Sequence, residues 1–207
     1  MRNRYILLLM MAAMALVTAC SSGAPRMVPL NPDPATYAQG VEEYRAAKDA
    51  YFKSDSSPLS PSIRQKFTGL NYYPVGAKWR IVGDMERYAA AKVRTEADAS
   101  TGAIAMNAVG IFRFELNGQR FGMEVWQPVS GQALMILFND PTNGGETYEA
   151  GRYVELDKTE KGRYVLDFNL AYNPYCHYNP KYVCPFPPPE NRMPERIAAG
   201  EKKLGHT

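Results

Sequence analysis

Residues 104–126 read IAMNAVGIFRFELNGQRFGMEVW, and the periodicity of this stretch decides the fold class. Ile104, Met106, Gly110, Phe112, Phe114 and Leu116 fall on one parity while Arg113 and Glu115 fall on the other, which is the alternation of a half-buried strand. Asn117-Gly118 follows. Both central residues of a type I′ turn need positive φ, and Asn-Gly supplies it most readily, so the chain is expected to fold back here through a two-residue loop. On the return, Phe121, Met123 and Val125 alternate with Arg120, Glu124 and Trp126.

Working outward, residues 133–138 (ALMILF) are continuously apolar between Gly131 and Asp140-Pro141, as expected of a strand buried on both faces. Residues 151–156 and 164–170 make a further strand pair joined by the polar turn DKTEKG at 157–162. Upstream, Tyr37, Val41, Tyr44, Lys48 and Tyr51 recur at helical spacing behind Asp33-Pro34, predicting a helix over 34–52 that packs one face on the domain. Ser60-Pro61 opens a short second helix ending near Gly69. Strands do not alternate with helices and no internal repeat is present. The reading is a mainly β protein, an antiparallel barrel or sandwich with one or two N-terminal helices, in a single domain over 35–207.

The N-terminus reads as a targeting segment. Arg2 and Arg4 precede an apolar run from Tyr5 to Val17, too short to span a bilayer comfortably, and small residues lead to Cys20. Val17-Thr18-Ala19-Cys20 resembles a bacterial lipobox with Val17 where Leu is commoner, so residues 1–19 are expected to be a lipoprotein signal peptide with Cys20 lipidated; a plain secretory signal is the alternative. Residues 20–34, rich in proline, form an extended tether. Ser21 after the anchor implies a cell-envelope protein held at the outer membrane, facing the periplasm, if the host has two membranes.

The charge balance excludes a general nucleic-acid role. Lys+Arg 24 against Asp+Glu 21 gives +3, and removing Arg2 and Arg4 with the signal leaves 22 minus 21, or +1. The membrane, through the Cys20 lipid, is the expected partner.

The chemistry-bearing residues lie late in the chain. In the last strand Tyr164, Leu166, Phe168 and Leu170 take one face, placing Asp167 and Asn169 together on the other. Arg152 enters from the preceding strand, with Asp140, Thr142, Glu146 and Tyr148 from the glycine-rich loop before it as secondary candidates. Either these line a barrel mouth as a ligand pocket, or the polar face is solvated and Arg152 pairs with a neighbouring acid. Seven of the sixteen prolines lie between Ala171 and Pro194, predicting a rigid strap around the barrel. If it folds back, Tyr172, Asn173, Glu190, Asn191 and Arg192 join Arg152, Asp167 and Asn169 at one end, with Arg192 pairing Asp167 as a structural latch or as part of a ligand site.

The segments GGETYEAGRY (144–153), LDFNLAYNPYC (166–176), CPFPPPENR (184–192) and AGEK (199–202), with SPL (57–59) and FTGLNYYP (67–74) upstream, resemble the motifs of a bacterial and archaeal family, domain of unknown function 1684. The resemblance covers nearly the whole mature chain. It departs at His177, usually Ala in the family, and at Asn139, commonly basic. It implies a shared site without implying a substrate.

With Cys20 lipidated, Cys176 and Cys184 remain as an even pair in an exported protein, and a disulfide is the simplest expectation. Two free thiols, or a zinc site with His177, are the alternatives; the zinc site lacks a paired Cys-x-x-Cys and a fourth ligand, so no metal is expected. No nucleophile elbow, Walker loop or His-Glu-x-x-His occurs, and His177 and His206 are the sole histidines, so neither a cofactor nor a histidine triad is expected. Three functions compete. The first is an envelope lipoprotein binding a small polar ligand or an envelope partner. The second is a hydrolase or lyase using a carboxylate such as Asp167, Glu190 or Glu146, and the third a purely structural lipoprotein.

Overall fold

The computed structural model describes residues 33–98, 102–129 and 131–205. The expected signal peptide, Cys20 and the tether before Asp33 lie outside them. Helix α1 (Pro34–Lys53) and the single-turn-and-a-half α2 (Pro61–Lys66) precede six strands, β1 (Arg80–Asp98), β2 (Gly102–Leu116), β3 (Gln119–Pro128), β4 (Met135–Phe138), β5 (Arg152–Lys158) and β6 (Tyr164–Asp167). All neighbouring pairs are antiparallel, and β6 returns to β1, closing a barrel in the order β1-β2-β3-β4-β5-β6. Closure removes the sheet edges that a sandwich would leave to be covered.

The hairpin forms as the sequence requires. Leu116 pairs with Gln119, and Asn117 (φ 53) and Gly118 (φ 76) take the two left-handed positions of the turn. The single face expected for Met106 through Leu116 is corrected by a bulge. Between Ala108 and Gly110 the register against β3 slips, so Val109 joins Phe112, Phe114 and Leu116 in the barrel core while Met106 packs outside with Trp126, Leu137 and Tyr153. One extra residue flips every side chain beyond it, because the side-chain period of a strand is two.

The interior is filled by Phe112, Phe114, Val125, Ile136, Phe138 and Phe168 among others, all buried. Phe168 meets Phe138 edge-on at 5.2 Å and Trp79 at 6.4 Å, so the β1 end of the barrel is stoppered by aromatic rings. Helix α1 packs through Tyr37 and Val41 on Leu170, and the segment after β6 runs over the outer cluster, where Tyr172 and Cys184 cover Trp126, Leu137 and Tyr153.

The antiparallel registers define two barrel ends. Arg80 pairs with Asp167 and Phe138 with Arg152 at one end, whereas Lys158 pairs with Tyr164 and Trp126 with Met135 near the other. We call these the plugged end and the open mouth. Beyond the mouth, β1 and β2 continue as a two-stranded ribbon from Lys92↔Ala108 to Asp98↔Gly102.

Candidate functional site

The residues expected to share one pocket are separated by the sheet itself. Arg152 has the parity of Val154 and Leu156, which pack in the barrel core, and it lies against the Phe138 ring at 5.1 Å. Asp167 has the opposite parity to Leu166 and so stands on the outer face. A guanidinium inside and a carboxylate outside cannot converge on one ligand.

Arg152 is instead the plug of the closed end. Its guanidinium donates to the carbonyls of Ala199 (2.5 Å), Ile197 (2.9 Å) and Glu201 (3.3 Å) and pairs with Asp140 at 3.1 Å, with all four residues' participating groups buried. Asp140 also accepts from the Ile197 amide (2.8 Å) and from the Thr142 hydroxyl (2.9 Å). Burial alone lowers the Arg152 pKa, and the Asp140 charge opposes that shift. Both ions remain hydrogen-bonded, which is what makes a buried pair tolerable.

Asp167 and Asn169 do meet, though not through strand parity. β6 ends at Asp167, and Phe168–Leu170 turn as a 3₁₀ helix capped by the Asp167 carboxylate, which accepts from the Asn169 amide at 3.0 Å. The Tyr37 hydroxyl of α1 donates to the same carboxylate at 2.8 Å, and Asn169 donates to the Tyr37 oxygen at 2.7 Å. Asn169 also exchanges two bonds with the main chain of Gly76, both 2.9 Å. Desolvation raises the Asp167 pKa, against the lowering by Tyr37 and Asn169.

A third knot lies under the strap. Glu201, buried, pairs with Lys48 of α1 and accepts from the Tyr178 hydroxyl (2.5 Å) and the Asn173 amide (2.9 Å). Lys48 sits 4.7 Å from the Tyr172 ring centroid, and burial drives the Tyr172 and Tyr178 pKa values well up.

Asn191 repairs the barrel wall. β3 and β4 share a single register pair, Trp126↔Met135, and farther along the Asn191 side chain spans the gap. It accepts from the Glu124 amide (2.7 Å) and donates to the carbonyls of Glu124 and Leu137 (2.9 Å each). Its neighbours Glu190 and Arg192 are exposed, and Arg192 is held by a main-chain bridge to Asn139. The expected Arg192 to Asp167 pair is not formed, because the strap carries Arg192 to β4 while Asp167 is enclosed by α1.

The secondary candidates divide likewise. Asp140 and Thr142 serve Arg152. Glu146 pairs with Arg196 and accepts from Tyr73 (3.0 Å), and these hydrogen bonds lower its pKa. Tyr148 reaches the Cys176 sulfur at 3.9 Å. Cys176 and Cys184 are free thiols, so the expected disulfide is not formed; the two nonetheless lie side by side, the Cys176 amide donating to the Cys184 sulfur at 3.2 Å.

Space for a ligand is found at the other end. A cavity of about 370 Å³ opens at the mouth, lined by Arg87, Gln127, Lys158 and Tyr164 together with Leu134 and Leu156. Two local features explain the opening: the β1 register shifts between Arg87 and Lys92, and β3 and β4 barely pair. Arg87 donates to the Tyr164 hydroxyl at 3.4 Å, and Gln127 donates to the Gln132 carbonyl at 3.1 Å. Glu155 and Asp157 border the same cavity, and desolvation is the main cause of the raised pKa of each.

Sequence reasoning missed Arg87, Lys158 and the Lys48–Glu201 pair. Lys48 carried a signal, being a cation within an otherwise apolar helical stripe, which demands a buried acid. Glu201 lay within the quoted AGEK segment. Arg87 carried none, because its position follows from the irregularity in β1.

The family model described as "Protein of unknown function (DUF1684)" matches residues 65–202. A search of curated proteins finds no match. Among solved structures, the chain is similar to the solution structure of an uncharacterized protein from Haloarcula marismortui, at 27% identity and a TM-score of 0.66, covering 82% of this chain and 96% of that one.

Proposed function

This chain belongs to the DUF1684 family of proteins of unknown function, and on that premise we propose that it is a membrane-tethered β-barrel that binds a small polar ligand in its open mouth. The observation that carries this reading is the contrast between the ends. At one end every predicted polar residue that faces inward is consumed by internal bonds, and at the other Arg87, Tyr164 and Gln127 border a cavity of about 370 Å³. A concave site of this size, lined mainly by polar and charged side chains, suits a small polar molecule rather than a protein partner. The lipobox-like residues before Cys20 support a lipid tether, in a double-membraned host at the outer membrane.

The test is a metabolite-retention screen by native mass spectrometry on the purified protein. Compounds retained by the wild type are expected to be lost from Arg87→Ala. Undiminished retention by that variant places the ligand elsewhere and ends this reading.

A second reading, a carboxylate-dependent hydrolase or lyase, is favoured by Glu155 and Asp157 at the same cavity. Burial raises the pKa of both acids, which is the direction a proton donor requires. Turnover of a retained compound by wild type, abolished in Glu155→Gln or Asp157→Asn, distinguishes catalysis from binding.

A further inference from the structure

The two thiols of the strap lie outside every knot described above. Cys176 sits in the 3₁₀ turn Tyr175–His177 and Cys184 precedes Pro185, and both are half-buried. The loop between them is anchored near its start, because Tyr178 is buried and bound to Glu201, and just past its end, because the Tyr153 hydroxyl donates to the Pro185 carbonyl. Anchoring both sides holds the sulfurs in register, with the Cys176 amide 3.2 Å from the Cys184 sulfur.

We propose that Cys176 and Cys184 form an exchange site for small-molecule disulfides, with Cys176 as the attacking sulfur and Cys184 as the resolving one.

The surroundings divide the roles. Cys176 faces two hydrogen donors, the Cys184 thiol and the Tyr148 hydroxyl at 3.9 Å, and these hold its pKa down to about 7 against the opposing effect of burial. The thiolate is the nucleophile in exchange, and a value near neutral gives the best compromise between its population and its reactivity. Cys184 is shifted the other way, because ionising it removes the hydrogen bond to Cys176 and burial penalises its charge. It packs beside Trp126, Leu137 and Tyr153, an apolar setting that keeps it protonated until needed.

The step balances with a disulfide as oxidant. Cys176 thiolate attacks one sulfur of R–S–S–R, forming a mixed disulfide and releasing R–S⁻. Cys184 then loses its proton to solvent and attacks the Cys176 sulfur, forming the internal bridge and expelling the second R–S⁻. The protein loses two electrons and two protons, and the small disulfide becomes two thiols.

The experiment uses the full chain, reduced and desalted, then incubated with glutathione disulfide and followed by intact-mass and peptide mass spectrometry, which separates these sulfurs from Cys20. The expected wild-type product is an internal Cys176–Cys184 bridge, lighter by two hydrogens and without a lasting adduct. Cys184→Ser should stop at one glutathione on Cys176, and Cys176→Ser should react roughly tenfold more slowly at Cys184. Native melting curves of both variants accompany the reaction. Two unchanged thiols in folded wild type overturn the proposal, and that arm needs no variant. Equal rates in folded Cys176→Ser and Cys184→Ser overturn the assignment of roles.

Discussion

The Lys48 ammonium and the Glu201 carboxylate meet in the interior, 153 residues apart in sequence. Removing one partner of a buried pair strands the other charge, at a cost of about 3–5 kcal/mol. Lys48→Met and Glu201→Gln should each lower stability by that order in urea titration. The double variant Lys48→Met/Glu201→Gln should cost clearly less than the sum, and strict additivity would show that the two groups do not depend on each other.

Asn191 gives a second stability prediction. Asn191→Leu keeps the branched heavy-atom skeleton but leaves the Glu124 amide and the Glu124 and Leu137 carbonyls without their partner. A loss of about 2–4 kcal/mol is expected, together with faster hydrogen exchange at the Glu124 amide than in wild type. Unchanged exchange there would mean that the strap does not hold β3 to β4.

Two glycines with nearly the same φ separate backbone strain from steric conflict. Gly118 (φ +76) has open space where a Cβ would stand, whereas at Gly200 (φ +73) a Cβ would lie 2.5 Å from the Ala171 oxygen and 2.7 Å from the Phe168 oxygen. Gly118→Ala should cost about 1–2 kcal/mol, the strain of a left-handed residue. Gly200→Ala adds a backbone clash to the same strain and should be several-fold worse in thermal melting.

The pH dependence of stability follows from the buried acids. Asp167 has a pKa raised above its ordinary 3.8, mainly by burial, with Tyr37, Asn169 and Arg80 opposing; Asp157 is raised likewise, mainly by burial. An acid raised on folding binds its proton more tightly when folded, so its contribution is most favourable below the ordinary value and declines as pH climbs through the folded one. Asp167→Asn should therefore flatten the decline in stability on the alkaline side of pH 3.8. A profile with the wild-type slope would count against this account.

The proposed tether predicts a fractionation result. On that proposal the wild type fractionates with membranes and Cys20→Ala should move to the soluble fraction, because acyl chains on Cys20 would supply the apolar surface that holds it. Continued sedimentation with membranes would remove the lipid anchor from the proposal.

Local chemistry was legible in the sequence and long-range pairing was not. The Asn117-Gly118 turn, the apolar β4 and the helical stripe of α1 depend on neighbours within a few residues. The family motifs also pointed to Arg152, Asp167, Asn173 and Asn191 as residues with demanding roles, and each is buried in a hydrogen-bonded knot. Their convergence was unreadable because it rested on assuming an unbroken strand through Leu170 and a shared face for Arg152. The end of β6 at Asp167 and the bulge beside Val109 are each a change of one residue's conformation, below the resolution of periodicity. Arg87 and the mouth depend on two such irregularities together.

The closing of Lys48 on Glu201 also orders events in time. Helix α1 is made early, yet the acid that neutralises its buried lysine is made after every strand, and Tyr37 likewise waits for Asp167, 130 residues later. Contacts of such separation slow folding, since a long loop must close before they repay its entropy. A nascent chain that has not yet released Glu201 is thus held back from its final packing, so the last residues of the domain govern when its first helix can dock.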